Sequence, residues 1–350
     1  MVSITNINTG QAGHYYARDD YYSRTSGRWA GRGAGALDLG GEVRKEDFER
    51  LLSGQDLQGG VLVAPGPKGH RAGVDLTFSA PKSVSVLSLV MGDNLVKAAH
   101  EKAVLTALSH IEERYSQARE TTAGETKRID TGNMVVARFN HHTSRELDPQ
   151  LHTHAVIMNL TMTQHGTWRA LSNENLYRHK MYIGQYYRNE LAANLRELGY
   201  GIRTDHKGLF EIKGLDPKLL GHFSQRSDQI AERVSELKNS GRYPEASGQR
   251  LREIAALGSR VAKRDINPET IKGAWEGRLR EQGYELKWLQ ESMQKAGKEI
   301  NHSKATGKYI TQAARIITEN ESVFTREQVL RNAGKLSLGE YRIKNLEEAF

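Results

Sequence analysis

His152 and His154 stand two residues apart in the run LHTHAVIM. On a strand both imidazoles project from one face, beside Val156 and Met158. Two imidazoles so placed can hold one divalent ion, and a third ligand completes a site that still leaves positions open for a substrate. His141 is the natural third, since it continues the inward series Val135, Ala137 and Phe139 on the preceding strand. His142 is the competing choice and would face the other way. Such an all-nitrogen set suits zinc, nickel, manganese or cobalt better than calcium; magnesium becomes suitable where phosphate oxygen shares the site. A lone histidine is more often a packed or surface residue, but an H-x-H pair on an apolar strand with a third on its hairpin partner favours metal.

The second concentration of chemistry lies near the start. Tyr15, Tyr16, Tyr21 and Tyr22 form two pairs around ARDD, in a polar segment bordered by glycine. A tyrosine phenolate can attack phosphorus and leave a phosphotyrosine ester. One phosphodiester is exchanged for another, so the strand can later be rejoined without ATP. The phenol titrates near 10, so attack needs a base or a nearby cation. Packing is the ordinary role of any single tyrosine, and stacking on single-stranded bases is an intermediate one; packing of all four is a poor explanation of this segment.

These residues need elements to position them. A short strand over 3–8 precedes the tyrosines, and a short helix over 46–53 follows. Gly59 to Gly73 is a Gly/Pro-rich connector. Residues 73–79 read as a strand with Val74, Leu76 and Phe78 on one face and Asp75, Thr77 and Ser79 on the other, stopped by Pro81. A helix is expected over 93–119, with Leu95, Ala98, Leu105, Leu108, Ile111 and Tyr115 inward. Strands over 133–141 and 152–160 carry the histidines. A second long helix covers 173–198, with Tyr177, Met181, Gly184, Leu191, Leu195 and Leu198 facing in and Gly199 and Gly201 ending it. A hairpin turns at DHKG, 205–208. From about 216 the chain becomes helical and rich in Lys, Arg, Glu and Gln, and Thr325 with Gln328 gives a capping signal near the end.

Bulk properties agree with a nucleic-acid partner. The 350 residues carry 50 Lys+Arg against 42 Asp+Glu, a formal charge of +8, which favours polyanions through phosphate neutralisation. Cysteine is absent, which excludes disulfides, thiolate metal sites and cysteine nucleophiles. No G-x-x-x-x-G-K-[ST] loop occurs, so nothing here points to ATP hydrolysis. The N-terminus does not read as a signal peptide, and no apolar run is long enough to span a bilayer; a cytoplasmic location is expected.

Taken together, the tyrosine pairs, GVDLTFSAPKSVS and HTSRELDPQLHTHAVIMN resemble TrwC/TraI-type conjugative relaxases of the MOB-F class, within the HUH endonuclease superfamily. The resemblance covers roughly residues 1–300, and the motifs follow the family's order. It implies an α+β fold: a relaxase palm of antiparallel β-sheet flanked by helices (1–215), a helical fingers subdomain closing over DNA (216–300), and a helical linker or start of a helicase region (301–350). By the same resemblance Tyr15 is the primary nucleophile, Tyr21 serves a second strand transfer, and Tyr16 and Tyr22 are their neighbours. Asp75 matches the acidic residue that orients the histidines or assists deprotonation, and His141, His152 and His154 match the metal triad. Arg71 and Lys82 flank the Asp75 strand and can contact phosphates, or can simply be solvated. The implied activity is site- and strand-specific nicking at a plasmid transfer origin (oriT) with a divalent ion (magnesium, manganese, zinc or nickel) as cofactor. Implied partners are single-stranded or hairpin oriT DNA, relaxosome accessory proteins and a type IV secretion coupling protein. A rolling-circle replication initiator shares this chemistry. A non-catalytic DNA-binding protein leaves the tyrosines unexplained, and a small-molecule metallohydrolase leaves both the tyrosines and the basic balance unexplained.

Overall fold

Two-residue alternation along three long strands builds the centre of the structure. The computed structural model describes residues 2–8, 27–66, 69, 71–258, 268–293, 306–319 and 321–350. Its principal elements in chain order are β1 (Val2–Asn8), β2 (Arg28–Ala30), β3 (Arg71–Ser79), α1 (Asn94–Tyr115), β4 (Gln117–Thr122), β5 (Glu125–Asp130), β6 (Val136–Thr143), β7 (Pro149–Met158), α2 (Lys180–Glu197), α3 (Gln225–Asn239), α4 (Pro268–Glu281), α5 (Arg326–Leu336) and α6 (Ile343–Glu348). A five-stranded sheet has the order β1-β3-β7-β6-β2, with every neighbouring pair antiparallel. The expected α+β fold is present.

Each face of the sheet has its own core. Val74, Leu76, Phe78, Leu151, Ala155 and Ile157 pack toward α1 and α2. Ala137, Phe139, Val156 and Met158 pack on the opposite face with Trp29, Phe48, Leu51 and Leu52. Gly73 lets β3 and β7 close up, because a Cβ there would lie 2.3 Å from the Ile157 carbonyl oxygen. Pro81 ends β3, and the helical turns of Lys82–Ser85 follow. The Ser85 hydroxyl accepts the Leu151 backbone N–H at 3.0 Å, which ties that turn to β7.

Several sequence expectations need correction. α1 starts under an Asp93 cap that accepts from Leu95 and Val96 N–H, but it ends at Tyr115 rather than 119. Residues 117–130 form the β4–β5 hairpin, whose turn uses Ala123 and Gly124 at φ 51° and 84°; both central residues of such a two-residue turn need positive φ. Its strands are almost wholly polar, so no apolar period marks them. On α1, Leu95 and Leu105 point outward, and the buried stripe is Val96, Ala99, Ala103, Val104, Ala107, Leu108 and Ile111. Small alanines there suit close packing against α2, whose Asn194 amide donates to the Ala99 carbonyl at 3.0 Å. The helix expected over 173–198 breaks at His179 into Glu174–Arg178 and α2, leaving Tyr177 and Met181 exposed.

Between the sheet and α1 lies a buried polar chain. The Tyr187 hydroxyl is 2.8 Å from His100 Nδ1, and His100 Nε2 is 2.9 Å from Thr153 Oγ1. Thr153 donates onward to Asn140 Oδ1 at 2.7 Å, and Asn140 donates to Glu101 at 2.9 Å. Because the Thr153 proton is committed to Asn140, His100 donates from Nε2, and complete burial keeps the ring neutral, so Nδ1 accepts from the Tyr187 hydroxyl. Burial pushes its pKa down from 6.5 to about 3. An unfolded chain takes up this proton below pH 6.5 while the native state does not, so stability falls as pH drops through that range. Urea unfolding at pH 7 and pH 5 should show His100→Asn losing about 2 kcal/mol less than the parent over that interval. Equal losses in both proteins would remove His100 as the source.

Among the described residues no strand follows Ile212, and the chain is helical from Pro217. The capping box at Thr325 forms with Gln328. α5 and α6 do not stand apart: Asn189 on α2 donates to the Gly334 and Tyr341 carbonyls, both at 3.1 Å. Arg342 reaches Glu190, Asn194 and Glu197 on the same helix. A Cβ on Gly334 would meet Ile343 Cδ1 at 2.5 Å, so glycine permits this packing. No helix among the described residues is long and apolar enough to cross a membrane.

Candidate active site

The register of the sheet brings the histidines together. His141 on β6 pairs directly with His152 on β7, and His154 is flanked by Phe139 on one side and Thr77 of β3 on the other. The two-residue period places all three on the face that carries Ala137, Val156 and Met158, beyond the edge of that apolar cluster. Ring centroids are 5.3 Å apart for His141–His152, 4.9 Å for His141–His154 and 5.2 Å for His152–His154. Each residue offers one ring nitrogen, and the three nitrogens lie within 4.8 Å of one another. This is the spacing of ligands around a single ion, and no other such group of three occurs among the described residues.

What stands behind the rings decides which nitrogen each presents. His154 Nδ1 is 2.7 Å from Asp75 Oδ2 and 3.2 Å from Thr77 Oγ1. His152 Nδ1 donates to the Gln150 carbonyl at 2.9 Å. A proton held on Nδ1 leaves the lone pair on Nε2, the arrangement by which a carboxylate or carbonyl orients a ligating imidazole and raises its basicity. Imidazole nitrogen donors in a pocket bordered by apolar residues fit a divalent transition ion.

His142 belongs elsewhere. Burial, and after it the charge of Lys97 on α1, lowers its pKa to about 4, which places it toward the helix layer. The structure therefore groups His141, rather than His142, with the β7 pair. Asp75 joins the group as read from its strand face. Thr77 shares that face, and its hydroxyl contact to His154 Nδ1 is one that strand phase alone does not assign. The Gln150 contribution is a backbone carbonyl, for which residue type gives no signal.

The remaining candidates are distributed differently. Tyr15, Tyr16, Tyr21 and Tyr22 lie outside the described residues. Arg71 starts β3, six residues before Thr77 and at the far end of the strand from the histidines. Its guanidinium donates to Asn173 Oδ1 at 2.9 Å, Asn159 Oδ1 at 2.7 Å and the Leu171 carbonyl, and burial lowers its pKa. Lys82 is at the histidine end and donates to the Pro149 carbonyl at 3.0 Å; burial lowers its pKa, opposed by Asp148.

Comparison with known proteins gives a consistent result. The family model described as TrwC relaxase matches residues 9–282. The multifunctional conjugation protein TraI of Escherichia coli (strain K12) is 38% identical over 303 residues, which is 82% of this chain. The chain spans only 16% of the length of that curated relative. Among solved structures, the conjugative relaxase TrwC in complex with OriT DNA, in its metal-free form, matches with a TM-score of 0.74 and 37% identity, covering 82% of this chain and 100% of that one. The metal-bound form of the same complex matches with a TM-score of 0.73 at 37% identity over the same shares.

Proposed function

The chain belongs to the TrwC relaxase family, and from that premise we propose that it nicks one strand of a plasmid transfer origin by metal-assisted tyrosine transesterification. The observation that carries the reading is the imidazole triad with Asp75 behind His154, in a chain whose structural relatives are relaxases bound to OriT DNA. His141, His152 and His154 would hold a divalent ion, and Asp75, Thr77 and the Gln150 carbonyl fix two of the rings. Once bound, the ion supplies positive charge where negative charge builds on the scissile phosphate.

In this reading Tyr15 attacks phosphorus in line. The Tyr15 oxygen–phosphorus bond forms as the bond to the 3′ oxygen breaks, the 3′-OH leaves, and the 5′ phosphate stays on the tyrosine. Tyr21 serves the second transfer that rejoins the strand, with Tyr16 and Tyr22 beside them. Lys82, at the histidine end of the sheet, is the better placed of the two cations to approach a phosphate there; Arg71 would act at the other end. Residues 1–215 would form the palm, 216–300 the fingers over the DNA and 301–350 a helical linker or the start of a helicase region, whose α5 and α6 pack on α2. The hairpin and single strand of the origin are the substrate, and the reaction takes place in the cytoplasm with accessory and coupling proteins of the transfer machinery.

The test is denaturing electrophoresis of labelled single-stranded oligonucleotides tiling the DNA beside the coding sequence, incubated with protein and Mn²⁺ or Mg²⁺. A protease-sensitive adduct that needs metal and disappears in Tyr15→Phe is expected. An adduct that survives Tyr15→Phe and is lost in Tyr21→Phe would reverse the two roles. Tight DNA binding with no adduct at any metal concentration would exclude the nicking reaction.

A further inference from the structure

The loop joining β6 to β7 is held from outside the sheet. Asp148, four residues before His152, is fully buried. Arg278 on α4 donates to its Oδ1 through both terminal nitrogens, at 3.2 and 3.1 Å. The Arg226 backbone N–H, in the first turn of α3, is 3.4 Å from Oδ2, so the carboxylate also faces the positive end of a helix. One turn before Arg278, the Trp275 indole donates to the Leu147 carbonyl at 2.7 Å. Leu147 has a φ of 60°, a conformation a leucine adopts only when its surroundings impose it. Arg278 also donates to the His222 carbonyl and lies 4.8 Å from the Phe223 ring. Lys82 grips the next residue through the Pro149 carbonyl.

From this loop the chain runs directly into the site. Asp148 N–H is 3.1 Å from Ser144 Oγ, and Ser144 N–H is 2.9 Å from the Asp148 carbonyl, which closes the turn. Pro149 and Gln150 follow, and the Gln150 carbonyl accepts from His152 Nδ1. Only two peptide units separate the carboxylate held by Arg278 from the carbonyl that sets the His152 ring.

We infer that Arg278 and Trp275 are positioning residues for His152, through which the helical segment after Pro217 sets the geometry of the imidazole triad. The inference rests on the metal reading of that triad. A shift of α4 moves Leu147 and Asp148, tilts the Pro149–Gln150 backbone and turns the His152 ring away from its two partners. The grip on the ion would therefore depend on how the helical segment is seated. Neither residue belongs to the triad itself.

The test is a titration of the full chain with Co²⁺ alone, followed by its visible absorption and by calorimetry. Arg278→Gln removes the ion pair and is expected to weaken Co²⁺ binding roughly tenfold, the lower end of what removal of a ligand's orienting partner costs. Trp275→Phe keeps most of the packing and lacks the N–H; a smaller loss in the same direction is expected. Arg278→Lys, which can still pair with Asp148 through one donor, should restore part of the affinity. Val329→Ala, buried on α5 away from the helices that hold the β6–β7 loop, should leave Co²⁺ binding at the parental value. Parental affinity in Arg278→Gln and Trp275→Phe would overturn the inference, as would an equal loss in Val329→Ala. If the parent itself binds no Co²⁺, it is the metal reading that fails, an outcome distinct from parental binding retained in every variant.

Discussion

Replacing His152 by alanine is expected to slow formation of the covalent DNA adduct by about 10²–10³-fold, the scale on which loss of a group that stabilises transition-state charge is felt. His152 is the central member of the triad in register terms: it pairs with His141 across β6–β7, and it shares its face and strand with His154. Its removal leaves two imidazoles, too few to fix an ion against competition from water and buffer. Asp75→Asn should be milder and different in kind. Its amide still fills the space beside His154 Nδ1 but cannot provide the carboxylate charge that raises ligand basicity, so affinity for the ion should drop about 10–100-fold. Adduct formation by Asp75→Asn should then recover as Mn²⁺ is raised, whereas His152→Ala should stay slow at every concentration. A His152→Ala protein that matched the parent in rate and metal dependence would remove the triad from the reaction.

The second large effect concerns stability. Arg342 lies between α5 and α6 and reaches back across the structure to Glu190, which is 3% exposed on α2. It also donates to Asn194 Oδ1 at 3.0 Å and Glu197 Oε1 at 2.5 Å. Burial raises the Glu190 pKa and Arg342 opposes that shift, so the cation is what keeps a carboxylate tolerable there. Arg342→Met should cost about 3–5 kcal/mol, because it strands a buried charge rather than merely deleting a contact. Chemical unfolding of Arg342→Met, Glu190→Met and the double variant would measure it. The double variant should recover most of the loss, since an apolar pair of similar volume replaces an ion pair at little cost. A single variant within about 0.5 kcal/mol of the parent, the range of ordinary surface changes, would show that α5 and α6 are not docked through this pair.

The histidine site was largely legible because it obeys a local rule. His152, His154, Val156 and Met158 share a period of two with an apolar end, and Asp75 occupies the polar phase of a strand whose other phase is Val74, Leu76 and Phe78. Strand phase alone told His141 from His142. The β4–β5 hairpin escaped because its residues carry almost no apolar alternation, and its only cue was Ala123-Gly124. The inward face of α1 is built on Ala99, Ala103 and Ala107 rather than Leu95 and Leu105, because close packing of one helix on another favours the smaller side chain and apolar bulk alone does not reveal it. The pairs Arg342–Glu190 and Arg278–Asp148 join positions more than a hundred residues apart, and no local pattern announces such a partner. The assignment of Tyr15 and Tyr21 as nucleophiles rests on residue type, order and family resemblance, since both lie outside the described residues.

The alternation along β7 also constrains how the gene can change. Leu151, Thr153 and Ala155 serve the helix layer while His152 and His154 serve the opposite face. One codon gained or lost between Ser144 and Asp148 would slip the register, exchange the two sets and send both imidazoles into the oily side. A change of length at Ala123–Gly124 displaces only β5, whose residues are almost all exposed, and so exchanges no buried set. Among descendants of this sequence, insertions and deletions should therefore collect in the β4–β5 hairpin and be purged from the β6–β7 loop, whatever residues that loop comes to contain.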